Sequence, residues 1–175
     1  MTYFFIAFTG LAVLLRIGSV LVSRRNERAL KSQGATEYGA INSHVLTALH
    51  IIFYAAVLAE GWLRGPRLDG VAATGVVLYA IGMATLLFVI RILGRFWTVK
   101  LIIANDHQLV THPLLRILRH PNYLLNIIPE LIGLALVFHS FGTLAIGMPL
   151  YLVSLVWRIR QEERVMRERF PELRY

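Results

Sequence analysis

Three apolar runs of about twenty residues, Tyr3–Val22, Ser43–Leu63 and Val71–Ile90, constrain this chain more than any other feature. As helices, each is long enough to cross a hydrocarbon core of ~30 Å. Two shorter runs follow, Leu124–Phe138 and Thr143–Trp157, joined by the turn His139-Ser140-Phe141-Gly142. A helix of either length rises only about 22 Å, so the pair reads as a short hairpin, counted as two further spans. Only 16% of the 175 residues are charged while 57% are hydrophobic. So few charges could not cover that much apolar surface in water, and lipid is the expected solvent. The first run has no basic segment before it and no small-residue cleavage site after it, so it reads as a retained helix and not a signal peptide. The expected fold is an all-α integral membrane protein of five transmembrane helices, one domain over residues 1–175.

Eighteen Lys and Arg against ten Asp and Glu give a net charge of +8. Nucleic acid is one partner of such a chain, but these cations sit beside apolar runs, where they set topology and meet anionic headgroups. With five spans and the N-terminus outside, fifteen basic residues fall inside and two, Arg64 and Arg67, outside. That asymmetry predicts a cytosolic C-terminus, in a bacterial inner membrane or in the endoplasmic reticulum of a eukaryote. Arg16 lies within the first span and is expected to face the bundle or snorkel inward. Cysteine is absent, which excludes disulfides, thiolate metal sites and cysteine nucleophiles.

The inner face is then built from the 24–42 loop, the 91–123 connection and the tail. Within the connection, VKLIIANDHQLVTH reads as two short β-like runs around the turn pair Asn105-Asp106. The last span is expected to continue as a helix through RIRQEERVMRERF until Pro171 stops it, reaching ~20 Å beyond Trp157.

Polar residues interrupt the fourth span. On a helix beginning at Pro121, Tyr123, Asn126 and Glu130 share one stripe, which must face protein or a wet cavity because an ionised Glu in lipid is expensive. Pro129 leaves the carbonyl of Leu125 without its helical donor. The stripe could simply tie the bundle together through interhelical hydrogen bonds. Arg119 and His120, at the helix entrance with its free N–H groups, suit something anionic instead. In the tail, Arg158 and Glu162 stand four apart, the spacing of an ordinary surface ion pair. Arg158 also sits where the fifth span leaves the membrane, so it can converge with the fourth-span stripe. His44 and His50 are six apart, not the i, i+4 spacing of helix-borne metal ligands, and His107 and His112 have no acidic cluster nearby; no metal is expected. No Gly-rich phosphate loop or serine nucleophile elbow is present.

Arg119-His120-Pro121-Asn122-Tyr123, preceded by His107-Gln108-Leu109-Val110-Thr111 and followed by Arg158-x-x-x-Glu162-Glu163, resembles the isoprenylcysteine carboxyl methyltransferase family. The likeness covers about residues 100–175, and RNERALKSQGATEYG near the N-terminus is similar to a short bacterial branch, some members of which methylate alkylpyrones. The resemblance implies a helical membrane methyltransferase that binds S-adenosyl-L-methionine on its cytosolic side, over about residues 100–130 and 158–170, and releases S-adenosyl-L-homocysteine. It implies a cofactor lining of Lys100, His107, Gln108, Leu109, Val110, Leu115, His120, Pro121, Asn122, Tyr123, Glu130, Glu162 and Glu163. Arg158 would face the acceptor as the catalytic residue. The chain departs from the family pattern at His112-Pro113-Leu114, where Gly-Pro-Tyr is usual, at Leu115, where a related tyrosine would contact cofactor, and at Phe170-Pro171-Glu172.

The implied chemistry suits these residues. The cofactor carries a carboxylate, an ammonium and a sulfonium, so its pocket needs N–H donors and a carboxylate close together. The acceptor is expected to be lipophilic, an isoprenylcysteine-like carboxylate or the hydroxyl of an alkylpyrone or phenolic lipid, entering from the bilayer. Membrane sterol and steroid reductases, which bind NADPH, share a similar hairpin and an H-P-N-Y-like motif; the Glu162-Glu163 pair favours the sulfonium amino acid. A non-catalytic lipid-binding scaffold would explain the charge asymmetry but not the polar stripe.

Overall fold

The structure is a computed structural model that describes residues 1–103 and 120–169. In chain order it comprises α1 (Thr2–Ser32), β1 (Thr36–Tyr38), α2 (Ala40–Arg64), α3 (Gly70–Leu93), a 3-10 turn (Gly94–Phe96), β2 (Leu101–Ile103), α4 (Asn122–Val137) and α5 (Phe141–Arg169). Among the described residues four helices are long and apolar enough to cross a membrane, and α4 is the shorter apolar one. The chain is thus an all-α multi-pass membrane protein, with its five apolar runs on five helices as expected. Outward-facing Leu14, Ile51, Ile146 and Val153 are more than 60% exposed, as lipid-facing side chains are.

Two expectations are corrected. The stretch 24–42 is not a loop: α1 continues past Val22 to Ser32. Its sequence there, SRRNERALKS, is made mostly of good helix formers without Gly or Pro, and Gly34 at φ 83° turns the chain away. The first β-like run of the connection does form a strand, but β2 pairs antiparallel with β1, Thr36 opposite Ile103. The proposed local partner beyond Asn105-Asp106 lies outside the described residues.

The closest helix crossing is α3 on α4, and glycines permit it. A Cβ on Gly133 would sit 2.5 Å from the Tyr79 backbone nitrogen, and one on Gly75 would sit 2.6 Å from that of Val137. The backbones therefore touch, which in lipid supplies dispersion contacts where no hydrophobic drive operates between helices. α1 lies over this pair. Phe5 and Phe8 pack at tilted and edge-on angles against Phe138 and Tyr79 near one end, and Arg16 forms an ion pair with Glu130 of α4 at mid-depth. Tyr54 of α2 donates to the same carboxylate. The hairpin turn uses His139 at φ 54°, which lets Ser140 fold inward and donate to the Val57 carbonyl at 2.7 Å. Glu60 of α2 then caps the start of α5 through the N–H groups of Gly142 and Thr143, at 3.0 and 2.7 Å.

At the arginine-rich end a polar network ties α1 to the strands. Lys100 meets Glu27 at 2.7 Å and Glu37 at 3.5 Å, and Lys31 meets the same two carboxylates. Burial acts to raise both carboxyl pKa values, but the lysine hydrogen bonds and charges outweigh it and hold them below the ordinary 4.5.

Two outcomes are expected. Gly133→Ala should lower stability in detergent by about 1–3 kcal/mol or more, because backbone must move to admit the methyl group; an unchanged melting midpoint would refute the close crossing. The Glu27 and Glu37 carboxyls, depressed on folding, stabilise fully above pH 4.5 and lose that contribution as pH falls through their folded values. The melting midpoint should therefore drop as pH falls from about 5 to about 3, and Lys100→Met should flatten that drop.

Candidate active site

α4 opens in an unusual way. Pro121 is helical, but Asn122–Ile127 form a π turn in which the Ile128 N–H bonds the Tyr123 carbonyl, five residues back. Pro129 accounts for the position: it has no N–H and its ring crowds the turn before it, and a wider turn relieves both. The stripe expected along this helix is therefore divided, with Tyr123 facing α5 and Glu130 facing α1 and α2.

Tyr123 Oη donates to Glu162 Oε2 at 2.5 Å. Arg158 Nε donates to the same Tyr123 oxygen at 3.3 Å, and its remaining nitrogens reach Ser43 Oγ at 2.7 Å and the Val99 carbonyl at 3.2 Å. The guanidinium is only 3% exposed, and the Glu162 carboxylate stands 3.9 Å from its Nε. His120 stacks on the Tyr123 ring, centroids 5.6 Å apart, and its Nε2 donates to Glu163 Oε1 at 3.3 Å. That hydrogen bond holds the Glu163 carboxyl below the usual range. His120 Nδ1 is buried without a hydrogen bond, as is Asn126 Oδ1, while Asn126 Nδ2 donates to Asn122 Oδ1 at 3.0 Å.

His120, Tyr123, Arg158, Glu162 and Glu163 thus come together, and Pro121 and Asn122 stand at the same helix entrance. Two other expected pocket residues do not join them. Lys100 is committed to Glu27 and Glu37. Glu130 is fully buried, paired with Arg16 and Tyr54 and 3.6 Å from His50 Nε2. Both pairings have one cause: a charged side chain is held by the nearest opposite charge that folding supplies, here chiefly Glu27 and Arg16 of α1, far away in sequence. His107, Gln108, Leu109, Val110 and Leu115 lie outside the described residues.

Two participants escaped the sequence reading. In the sequence Ser43 opens an apolar span and Val99 lies in a β-like run. The first turn of α2 is brought to Arg158 by Gly39, at φ 59° and packed directly against Gln161, with Asn42 Nδ2 donating to Gln161 Oε1 at 3.3 Å. On the other side, Ser23 Oγ accepts from the Val99 N–H at 2.9 Å, which steadies the carbonyl that Arg158 uses. No local pattern marks either residue, because each acts through tertiary contact alone.

Arg158 and Arg16 differ in a way that bears on chemistry. Arg16 has a whole carboxylate to itself apart from neutral partners. Arg158 has three neutral acceptors and a carboxylate at 3.9 Å that already accepts from Tyr123. Three of its five N–H donors are used by the described residues and its ion pair is long, so the site can accept a further oxygen.

Residues 74–168 match the isoprenylcysteine carboxyl methyltransferase (ICMT) family. An uncharacterized protein of Haemophilus influenzae is 40% identical over 96% of this chain and 98% of its own length. The uncharacterized protein YpbQ of Bacillus subtilis is 25% identical over 91% of this chain and 94% of its own. No solved structure matches. The family match takes in the α3–α4 crossing, the His120–Tyr123 entrance and the Arg158–Glu163 segment, and the chain belongs to the isoprenylcysteine carboxyl methyltransferase family.

Proposed function

We propose that this protein is an S-adenosyl-L-methionine-dependent O-methyltransferase acting on a lipophilic acceptor, with its arginine-rich face in the cytosol and its N-terminus outside. The two curated relatives are bacterial, which favours the inner membrane. The observation that carries the reading is the buried Arg158, with N–H donors to spare, beside Tyr123 and a pair of carboxylates.

The residues present fit the cofactor. Glu162 and Glu163, each partly exposed, offer carboxylates for an ammonium. The buried, unbonded Nδ1 of His120 offers a polar partner at the helix entrance, where first-turn N–H groups have no intrahelical acceptor. His107–Val110 and Leu115 complete the lining in this proposal. When bound, S-adenosyl-L-methionine supplies an electrophilic methyl group, which suits an oxygen acceptor.

The chain's own residues then orient and desolvate. Arg158, fixed by Ser43, Val99 and Tyr123, has N–H donors left over for the acceptor oxygen. A carboxylate acceptor is already ionised at neutral pH and needs no base. A phenolic or enolic hydroxyl must ionise first, and the adjacent guanidinium stabilises its anion. Tyr123 holds Glu162 in place, and the low exposure of Arg158 keeps water from the reacting oxygen.

Calorimetric titration of the detergent-purified protein tests this. The wild type should bind S-adenosylhomocysteine and not NADPH, and Glu163→Ala should weaken that affinity about tenfold or more, the loss of a hydrogen bond to a charged group. NADPH binding would move the protein to the reductase reading, and binding of neither ligand would refute a methyltransferase pocket.

A further inference from the structure

The extension of α1 beyond its lipid-facing part has no role in the site described above. Leu14, Ile17 and Leu21 face outward at 51–67% exposure, and the basic residues begin directly after Val22. At 1.5 Å per residue, Arg24 and Arg28 stand about 3–9 Å past the last apolar residue, the level of phospholipid phosphates. Here an open groove of about 430 Å³ is lined by Arg24, Glu27, Arg28 and Lys31.

The charges in this groove are unequally used. Glu27 is its sole acid, and it is bound by Lys31 at 2.8 Å and Lys100 at 2.7 Å. It therefore does nothing for the arginines. Arg24 and Arg28 are exposed, one helical turn apart, and neither guanidinium has a hydrogen-bond or ion-pair partner among the described residues. Two planar forks on one helix face, four residues apart, suit a phosphate oxygen pair better than ammonium groups would.

We infer that Arg24 and Arg28 form a binding site for the phosphate of an anionic phospholipid, whose acyl chains lie along the exposed apolar face of α1. The groove opens at headgroup depth, and the same helix supplies the apolar track directly beneath it. A soluble phosphate would use the forks but not the track. This inference is independent of the methyltransferase reading.

Native mass spectrometry of the full-length protein released from detergent tests it. The probes are dioleoyl phosphatidylglycerol, dioleoyl phosphatidylcholine and inorganic phosphate. Wild type should bind one phosphatidylglycerol at least about tenfold more tightly than phosphatidylcholine, since each arginine at the surface contributes several-fold. Arg24→Gln with Arg28→Gln should reduce that preference to within about twofold. Arg160→Gln with Arg164→Gln, which removes the same charge from the exposed face of α5, should leave it intact. The inference fails if the first double variant keeps the preference or if the second loses it equally. It also fails if inorganic phosphate at millimolar concentration displaces the lipid, which would assign the forks to a soluble anion. Melting midpoints of both variants, expected to match wild type because all four side chains are exposed, separate lost binding from lost folding.

Discussion

A guanidinium buried where membrane helices meet has to find its acceptors inside the protein, and Arg158 organises what surrounds it. Its nitrogens reach α2 through Ser43, the connection through Val99 and α4 through Tyr123, while its own helix supplies Glu162. No other described residue joins so many separate elements at the arginine-rich end. A hydrogen bond to a charged group contributes about 1.5–3 kcal/mol, so the arrangement is held by energetic necessity as much as by packing. Parts of the chain far apart in sequence are thereby fixed around one cation, and the first turn of α2, outside the family match, becomes a wall of the candidate site.

A second buried cation shows the contrast. Arg16 meets Glu130 deep in the bundle, supported by Tyr54, and that pair fastens α1 across helices that it otherwise touches along a narrow stripe of Phe5, Ala12, Ser19 and Ser23. A matched ion pair in a low-dielectric interior is stable and unreactive. Arg158 pairs with its nearest carboxylate only at 3.9 Å and keeps N–H donors that no described residue uses. One bundle thus uses the same residue type to close itself at mid-depth and to remain receptive near the surface. The glycines of the α3–α4 crossing make this possible by bringing α4 close enough for Tyr123 and Glu130 to reach different neighbours.

The spans were readable because lipid imposes length and apolarity on any helix that crosses it. The helical tail past Trp157 was readable for a related reason, since its charges follow the helical spacing of a solvated face. His120, Tyr123, Arg158, Glu162 and Glu163 could be picked out together because their motifs are local. What the sequence hid was tertiary. Nothing local to Lys100 or Glu130 tells that each meets a charge of α1, Glu27 and Arg16. The strand partner of Leu101–Ile103 lies more than sixty residues upstream, beyond the reach of any local pattern. Ser43 carries no mark at all, because a serine at the head of an apolar run is ordinary until a guanidinium folds against it. The π turn is an intermediate case: Pro129 announced a disturbed helix, but not that the disturbance would widen a turn and divide the polar stripe.

The most direct test of this account is a structure of the protein with S-adenosylhomocysteine bound. The ligand's ammonium is expected within hydrogen-bonding distance of Glu162 or Glu163, its carboxylate at the His120–Asn122 entrance, and its sulfur facing Arg158. Ligand bound away from the His120–Tyr123 entrance, with the Tyr123–Glu162 and Arg158–Ser43 bonds undisturbed, would contradict it.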